Sequence, residues 1–186
     1  MGVISDRSQY HRALAVVPSR RIRLNKVQRE AEGYLELGLP HLALDVLTRL
    51  GDPVDFGPTT LYLWGETLRA LGRYRDAIEP LQRASQADPE NIHIWLALAW
   101  CHKRTGRIDL AVEAISSALV ADPNEALLHY NLACYLSMSG EKNRALGHLS
   151  QALSLDPDYR RLIDDERDFD PIRTDPEFQA LTSIIV

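Results

Sequence analysis

The chain of 186 residues holds only two cysteines, Cys101 and Cys134. That is too few for a disulfide framework, and no CxxC spacing occurs, so a reducing compartment is expected and the cytoplasm is the simplest one. A basic surplus is missing too: 21 Lys and Arg face 26 Asp and Glu, for a net charge of -5. Affinity for phosphate backbones needs clustered cations, so no nucleic-acid partner is expected. No stretch approaches the roughly 18 apolar residues that span a bilayer, and Val3-Ile4 followed by Asp6-Arg7 is no leader core. Neither secretion nor membrane insertion is expected. With 45% hydrophobic and 25% charged residues, the chain has the composition of an ordinary soluble domain.

Catalytic signatures are equally scarce. GxSxG, HExxH, the P-loop and GxGxxG are all missing from the sequence, so no enzyme activity, cofactor or metal is expected. His129 and Cys134 are five residues apart, which on a helix turns them about 140° from each other and denies them a shared ligand face. Cys101 and His102 are adjacent and also turn apart. His11, His41, His93 and His148 have no partner at metal or triad spacing, and a structural role is expected for them.

What the sequence does hold is a period. Gly38, Gly72, Gly106 and Gly140 stand 34 residues apart, each followed five residues later by Ala43, Ala77, Ala111 or Ala145. Pro89, Pro123 and Pro157 keep the same step. Each unit reads as two amphipathic helices, for example Leu61, Trp64, Gly65 and Leu68, then Ala77, Leu81 and Ala84. The glycine between them can take the left-handed conformation that ends a first helix, and the Asp-Pro after the second helix stops it. The spacing therefore predicts a repeated helix-turn-helix hairpin, with small residues where helices approach closely and Trp, Leu and Ile between them.

These units resemble the tetratricopeptide repeat. Residues 58–91 match its pattern with Leu61, Trp64, Gly65, Leu68, Ala77, Leu81, Ala84 and Pro89. Residues 92–125 match with Trp95, Leu98, Ala99, Ala111, Ile115, Ala118 and Pro123, departing at His102. Residues 126–159 match with Leu132, Ala133, Leu136, Ala145, Leu149, Ala152 and Pro157, departing at His129. Residues 24–57 fit at Val27, Ala31, Tyr34, Ala43 and Leu47 but not at Glu30 or Leu50, and Pro53 comes two residues early. The resemblance implies an all-α fold, an α-α superhelix of antiparallel helix hairpins with four units over 24–159, an N-terminal extension over 1–23 and a C-terminal cap over 160–186.

Stacked hairpins leave apolar end faces that need covering. At the C-terminal end, Phe169, Ile172, Phe178 and Leu181 are the expected plug, in a segment similar to one found after such repeats in bacterial proteins; a bacterial source fits. The five carboxylates between Asp164 and Asp170 lack the glycine of an EF-hand turn, so a solvated acidic face is expected there rather than a cation site. At the other end, Ser5 to Val17 can form a short helix ending near Pro18. Residues 1–30 carry seven Lys or Arg against two acids, and residues 156–186 four against nine. Head-to-tail homo-oligomerisation is one consequence such opposite ends allow.

The resemblance also implies a function: a non-catalytic interaction module or adaptor that holds a protein or peptide segment along the concave wall lined by the first helices. The family's wall-facing positions fall here on Tyr62, Glu66, Arg69 and Ala70, then His93, Leu96, Trp100, Lys103 and Arg104, then Leu127, Tyr130, Cys134, Ser137 and Met138. Its charged recognition of a C-terminal carboxylate is not matched, since Asn131 alone sits at a corresponding position and Glu66 stands where an asparagine is required. Leu96, Trp100, Leu127, Tyr130 and Met138 have no core to enter if they face outward, which marks them as anchors for a ligand. Arg69, Lys103 and Arg104 on neighbouring helices predict acidic flanks on that ligand.

Overall fold

The computed structural model describes residues 20–183; the helix expected over Ser5 to Val17 lies outside them. Four pairs of antiparallel helices follow one another: α1 Arg20–Glu36 and α2 Pro40–Thr48, α3 Pro58–Ala70 and α4 Tyr74–Ala87, α5 Ile92–Arg104 and α6 Ile108–Ala121, α7 Ala126–Met138 and α8 Lys142–Leu155. A short α9, Arg160–Ile163, a 3-10 segment, Arg167–Ile172, and α10, Pro176–Thr182, complete the chain. Among the described residues there is no strand, and no helix is long and apolar enough to cross a membrane.

Each hairpin turns by the same chemistry. Gly72 has φ +74°, its N–H donates to Arg69 O at 3.0 Å and the Arg73 N–H donates to Leu68 O at 2.9 Å. This pair of bonds satisfies the last carbonyls of α3 and needs a left-handed residue between them, which favours glycine. Gly38, Gly106 and Gly140 repeat it with φ between +69° and +81°. The second helices end where a proline follows: Asp88, Asp122 and Asp156 leave the helical region because the ring of the next residue clashes with helical backbone.

The first pair departs from the repeat. α2 has nine residues where α4, α6 and α8 have 14, because Gly51 takes φ +103° and Pro53 opens a 3-10 turn. At its other end α1 is already helical at Arg20, the first described residue, upstream of position 24 where the repeat pattern starts.

Alanines at the crossings, Ala77, Ala99, Ala111, Ala133 and Ala145, are fully buried. They let backbones approach closely while Leu81, Leu98, Ile115 and Leu149 fill the layers between. One apolar core runs from Leu61 to Phe178, and a smaller one around Ala31 and Leu47 joins it through Trp64, which packs on both. First helices contact one another as well, α1 with α3 and α3 with α5, and so form a continuous inner wall.

Candidate functional site

On that wall, α3, α5 and the first half of α7 border a shallow cleft of about 250 Å³. Tyr62, Glu66 and Arg69 from α3, His93, Leu96 and Trp100 from α5, and Leu127 and Asn131 from α7 line it, eight residues that the repeat register placed on this face. They meet because the register positions recur in phase with the hairpin, so each helix turns the same stripe inward. Leu96 and Trp100 are partly exposed, and Leu127 is 37% exposed, leaving apolar surface open to solvent. Tyr135, absent from the sequence-derived set, closes the floor while itself 2% exposed. It sits one residue past Cys134, where the helical pattern alone assigns it to the core.

Charge in the cleft is internally balanced. Arg69 grips Glu66 with two guanidinium nitrogens, Nε donating to Oε2 at 2.8 Å; this bond raises the Arg69 pKa further. Burial, followed by the Glu66 charge, raises the Tyr62 hydroxyl. Lys103 is paired with Asp168, and the Arg104 guanidinium lies 5.1 Å over the Tyr74 ring, away from the cleft. All three cations expected to meet acidic flanks thus have partners within the chain, and the charge basis for those flanks in the open cleft is withdrawn.

The remaining part of the expected groove is covered. Tyr130 and Cys134 are 5% and 2% exposed and Ser137 is fully buried, because the segment after α9 folds back across α7. The Phe169 ring meets Tyr130 edge-on at 5.7 Å, Tyr159 lies 4.9 Å from Tyr130, and Phe169 packs on Phe178 at 5.5 Å. Tyr130, expected as an open anchor, and Cys134, expected on the open wall, are therefore corrected to residues beneath the chain's own C-terminal segment. Met138 is 37% exposed but borders no part of the cleft. The expected plug residues Phe169, Ile172 and Phe178 are buried and Leu181 packs against them, so the cap covers an inner face as well as an end.

The acidic stretch splits in the same fold. Asp164, Asp165 and Asp170 face solvent, whereas Glu166 and Asp168 turn inward and bring carboxylate oxygens within 4.8 Å of each other and of Cys134 Sγ. The ammonium of Lys103 supplies a cation to this group. Burial, with Glu166 and Asp168 adding to it, pushes the Cys134 thiol well above its ordinary value. Burial alone is the chief cause at Cys101, pushed up to about 12. Neither is an activated nucleophile.

Two histidines that lack partners in sequence meet in space. His129 Nδ1 and His148 Nδ1 are 2.9 Å apart, with His129 Nε2 3.0 Å from Pro123 O. Donation from Nε2–H to that carbonyl leaves His129 Nδ1 as the acceptor for His148. Burial, then the charge of His129, lowers the His148 pKa.

Set beside known proteins, the chain matches the tetratricopeptide repeat profile over residues 68–133 and again over 126–159. Solved structures share the fold. YrrB is 21% identical with TM-score 0.64, over 74% of this chain and 71% of that one. MamA from Desulfovibrio magneticus RS-1 is 19% identical with TM-score 0.69, over 87% and 88%. MamA of AMB-1 is 18% identical with TM-score 0.70, over 87% of both. No curated protein sequence is a match.

Proposed function

The chain belongs to the tetratricopeptide repeat family, and on that premise we propose that it is a non-catalytic interaction module whose cleft over α3, α5 and the start of α7 holds a peptide segment of another protein. The observation that carries this is the convergence of Tyr62, Leu96, Trp100 and Leu127 from three separate helices onto one concave wall, with Asn131 and His93 beside them for hydrogen bonding. Large apolar side chains at the centre of a concave surface are the usual anchors of an interface, and a rim of polar groups sets orientation. YrrB, which has the same fold, is described as a tetratricopeptide protein with an unusual peptide-binding site. The ligand's main determinant is an apolar anchor against Trp100 and Leu96, with polar backbone contacts at Asn131.

Replacing Trp100 with Ala leaves the core intact, since its ring is only partly buried, and is expected to weaken partner binding by about 2 kcal/mol, roughly 30-fold. The check is capture of partners from the native host by wild type and Trp100→Ala in parallel, with circular dichroism confirming the fold of both. Identical partner sets and amounts from the two proteins overturn the assignment of the cleft.

Self-assembly through oppositely charged ends is the alternative. The exposed Arg21, Arg23, Lys26 and Arg29 of α1 favour it, although Asp168 and Asp175 at the acidic end are engaged by Lys103 and Lys142. A mass in solution that stays monomeric from low to high salt removes it.

A further inference from the structure

We propose that residues 164–172 form a displaceable occupant of the inner wall over α7, and that the surface beneath them extends the cleft and takes an acidic peptide with an aromatic anchor, an aspartate followed by a phenylalanine. This rests on the peptide-binding function proposed for the cleft.

The segment docks by its side chains. Its backbone bonds are local, Glu166 to Ile163, Phe169 to Glu166 and Arg173 to Asp170, and Arg173 and the Glu166 side chain hold its shape from within. Against α7 it presents Phe169, set on Tyr130. Asp168 reaches Lys103 of α5. Phe169 and Ile172 join the apolar core as hairpin residues do, but the segment adds a carboxylate, Asp168, paired with a groove cation, and an apolar anchor flanked by such a pair is how a bound peptide is held.

The fit is incomplete. Tyr130 Oη and Ser137 Oγ are buried without a hydrogen-bond partner, on one face of α7 with Cys134 between them. Burying an unpaired hydroxyl is costly, so an occupant that supplies a donor or acceptor to either group binds this surface better than residues 164–172 do. Lys103 stands at the seam, its ammonium 5.2 Å from the Trp100 ring of the open cleft. A peptide anchored on Trp100 and continuing past it meets Lys103 next and competes there with Asp168. The exchange needs only that the incoming segment bind the uncovered state better than the resident one.

Cys134 reports the uncovering and Cys101 controls for it, since both are buried and only Cys134 lies under the segment. In the wild-type protein under native conditions, alkylation followed by peptide mass spectrometry is expected to modify Cys134 at least about tenfold faster than Cys101. Equal rates mean that the segment leaves only when the whole protein unfolds, and overturn the proposal.

A second measurement uses a fluorescent peptide of residues 164–174, DDERDFDPIRT. By anisotropy it is expected to bind Asp168→Asn/Phe169→Ala protein at least about tenfold more tightly than wild type, and to lose that gain when Lys103→Ala is added. Binding that is absent, or indifferent to Lys103, in a folded variant overturns the proposal; if the variant does not fold, the alkylation rates decide it. Loss of partner capture by Trp100→Ala together with equal cysteine rates leaves the open cleft standing and removes only this extension.

Discussion

Adding a methyl group to Gly65 separates packing from helix propensity. A Cβ built on Gly65 lies 2.5 Å from Leu81 Cγ, 2.7 Å from Leu81 Cδ2 and 3.4 Å from the Ala77 carbonyl oxygen. Leu81 has no exposed surface, so the χ1 rotation that would carry Cγ and Cδ2 away from the new methyl drives them into neighbouring packed side chains instead. α4 must shift away from α3, at a cost near the top of the overpacking range, about 3 kcal/mol. Helix propensity favours alanine over glycine by about 1 kcal/mol, leaving Gly65→Ala destabilising by about 2 kcal/mol. Gly147, mid-way along α8, is the control: nothing lies within 4 Å of its Cβ position, so Gly147→Ala is expected to stabilise by about 0.5–1 kcal/mol. Urea denaturation followed by circular dichroism measures both. In a Leu81→Ala background the clash has no partner and Gly65→Ala turns neutral or stabilising, a coupling of about 2–3 kcal/mol in the double-mutant cycle. Equal stabilisation by Gly65→Ala and Gly147→Ala in the wild-type background refutes the close approach of α3 and α4.

Two further effects follow from burial. Phe178, 2% exposed against Phe169, is expected to cost about 3 kcal/mol when replaced by Ala; hydrogen exchange should show the lost protection concentrated in α7 and α8 rather than α3 and α4, because stacked hairpins couple to nearest neighbours, and a uniform loss refutes this. Acid sensitivity comes from His148 and from His102, whose pKa is lowered by burial and then by Arg107, against the opposing charge of Asp109. Since both folded-state values lie below the ordinary one of about 6.5, the unfolded chain takes protons first and stability falls as pH drops through that value. The urea midpoint should decline from about pH 7.5 to 5.5, less steeply in His102→Asn/His148→Gln, and an unchanged slope in the double variant refutes the assignment.

Much of the architecture was legible because it is local and repeated. Gly72 and its counterparts terminate helices through bonds spanning five residues or fewer, and Asp-Pro stops the second helices whatever lies nearby. The first pair was harder to place, since Gly51 and Pro53 truncate α2 without altering the period around it. Eight of the cleft residues were legible for the same reason as the hairpins: register on a helix assigns a face. Tyr130 and Cys134 have that register too, yet the face they share is covered, and nothing within α7 encodes the cover.

By itself, then, the sequence determined the hairpins, their stacking and the stripe each first helix turns inward, because these depend on residues within one period. Tertiary structure alone decided which part of that stripe stays open. Lys103 and Asp168 are 65 residues apart and His129 and His148 are 19 apart, separations at which no helical periodicity relates one side chain to another. The fold-back of the C-terminal segment brings the first pair together and the α7–α8 turn the second, and the first of these sets the length of wall left open.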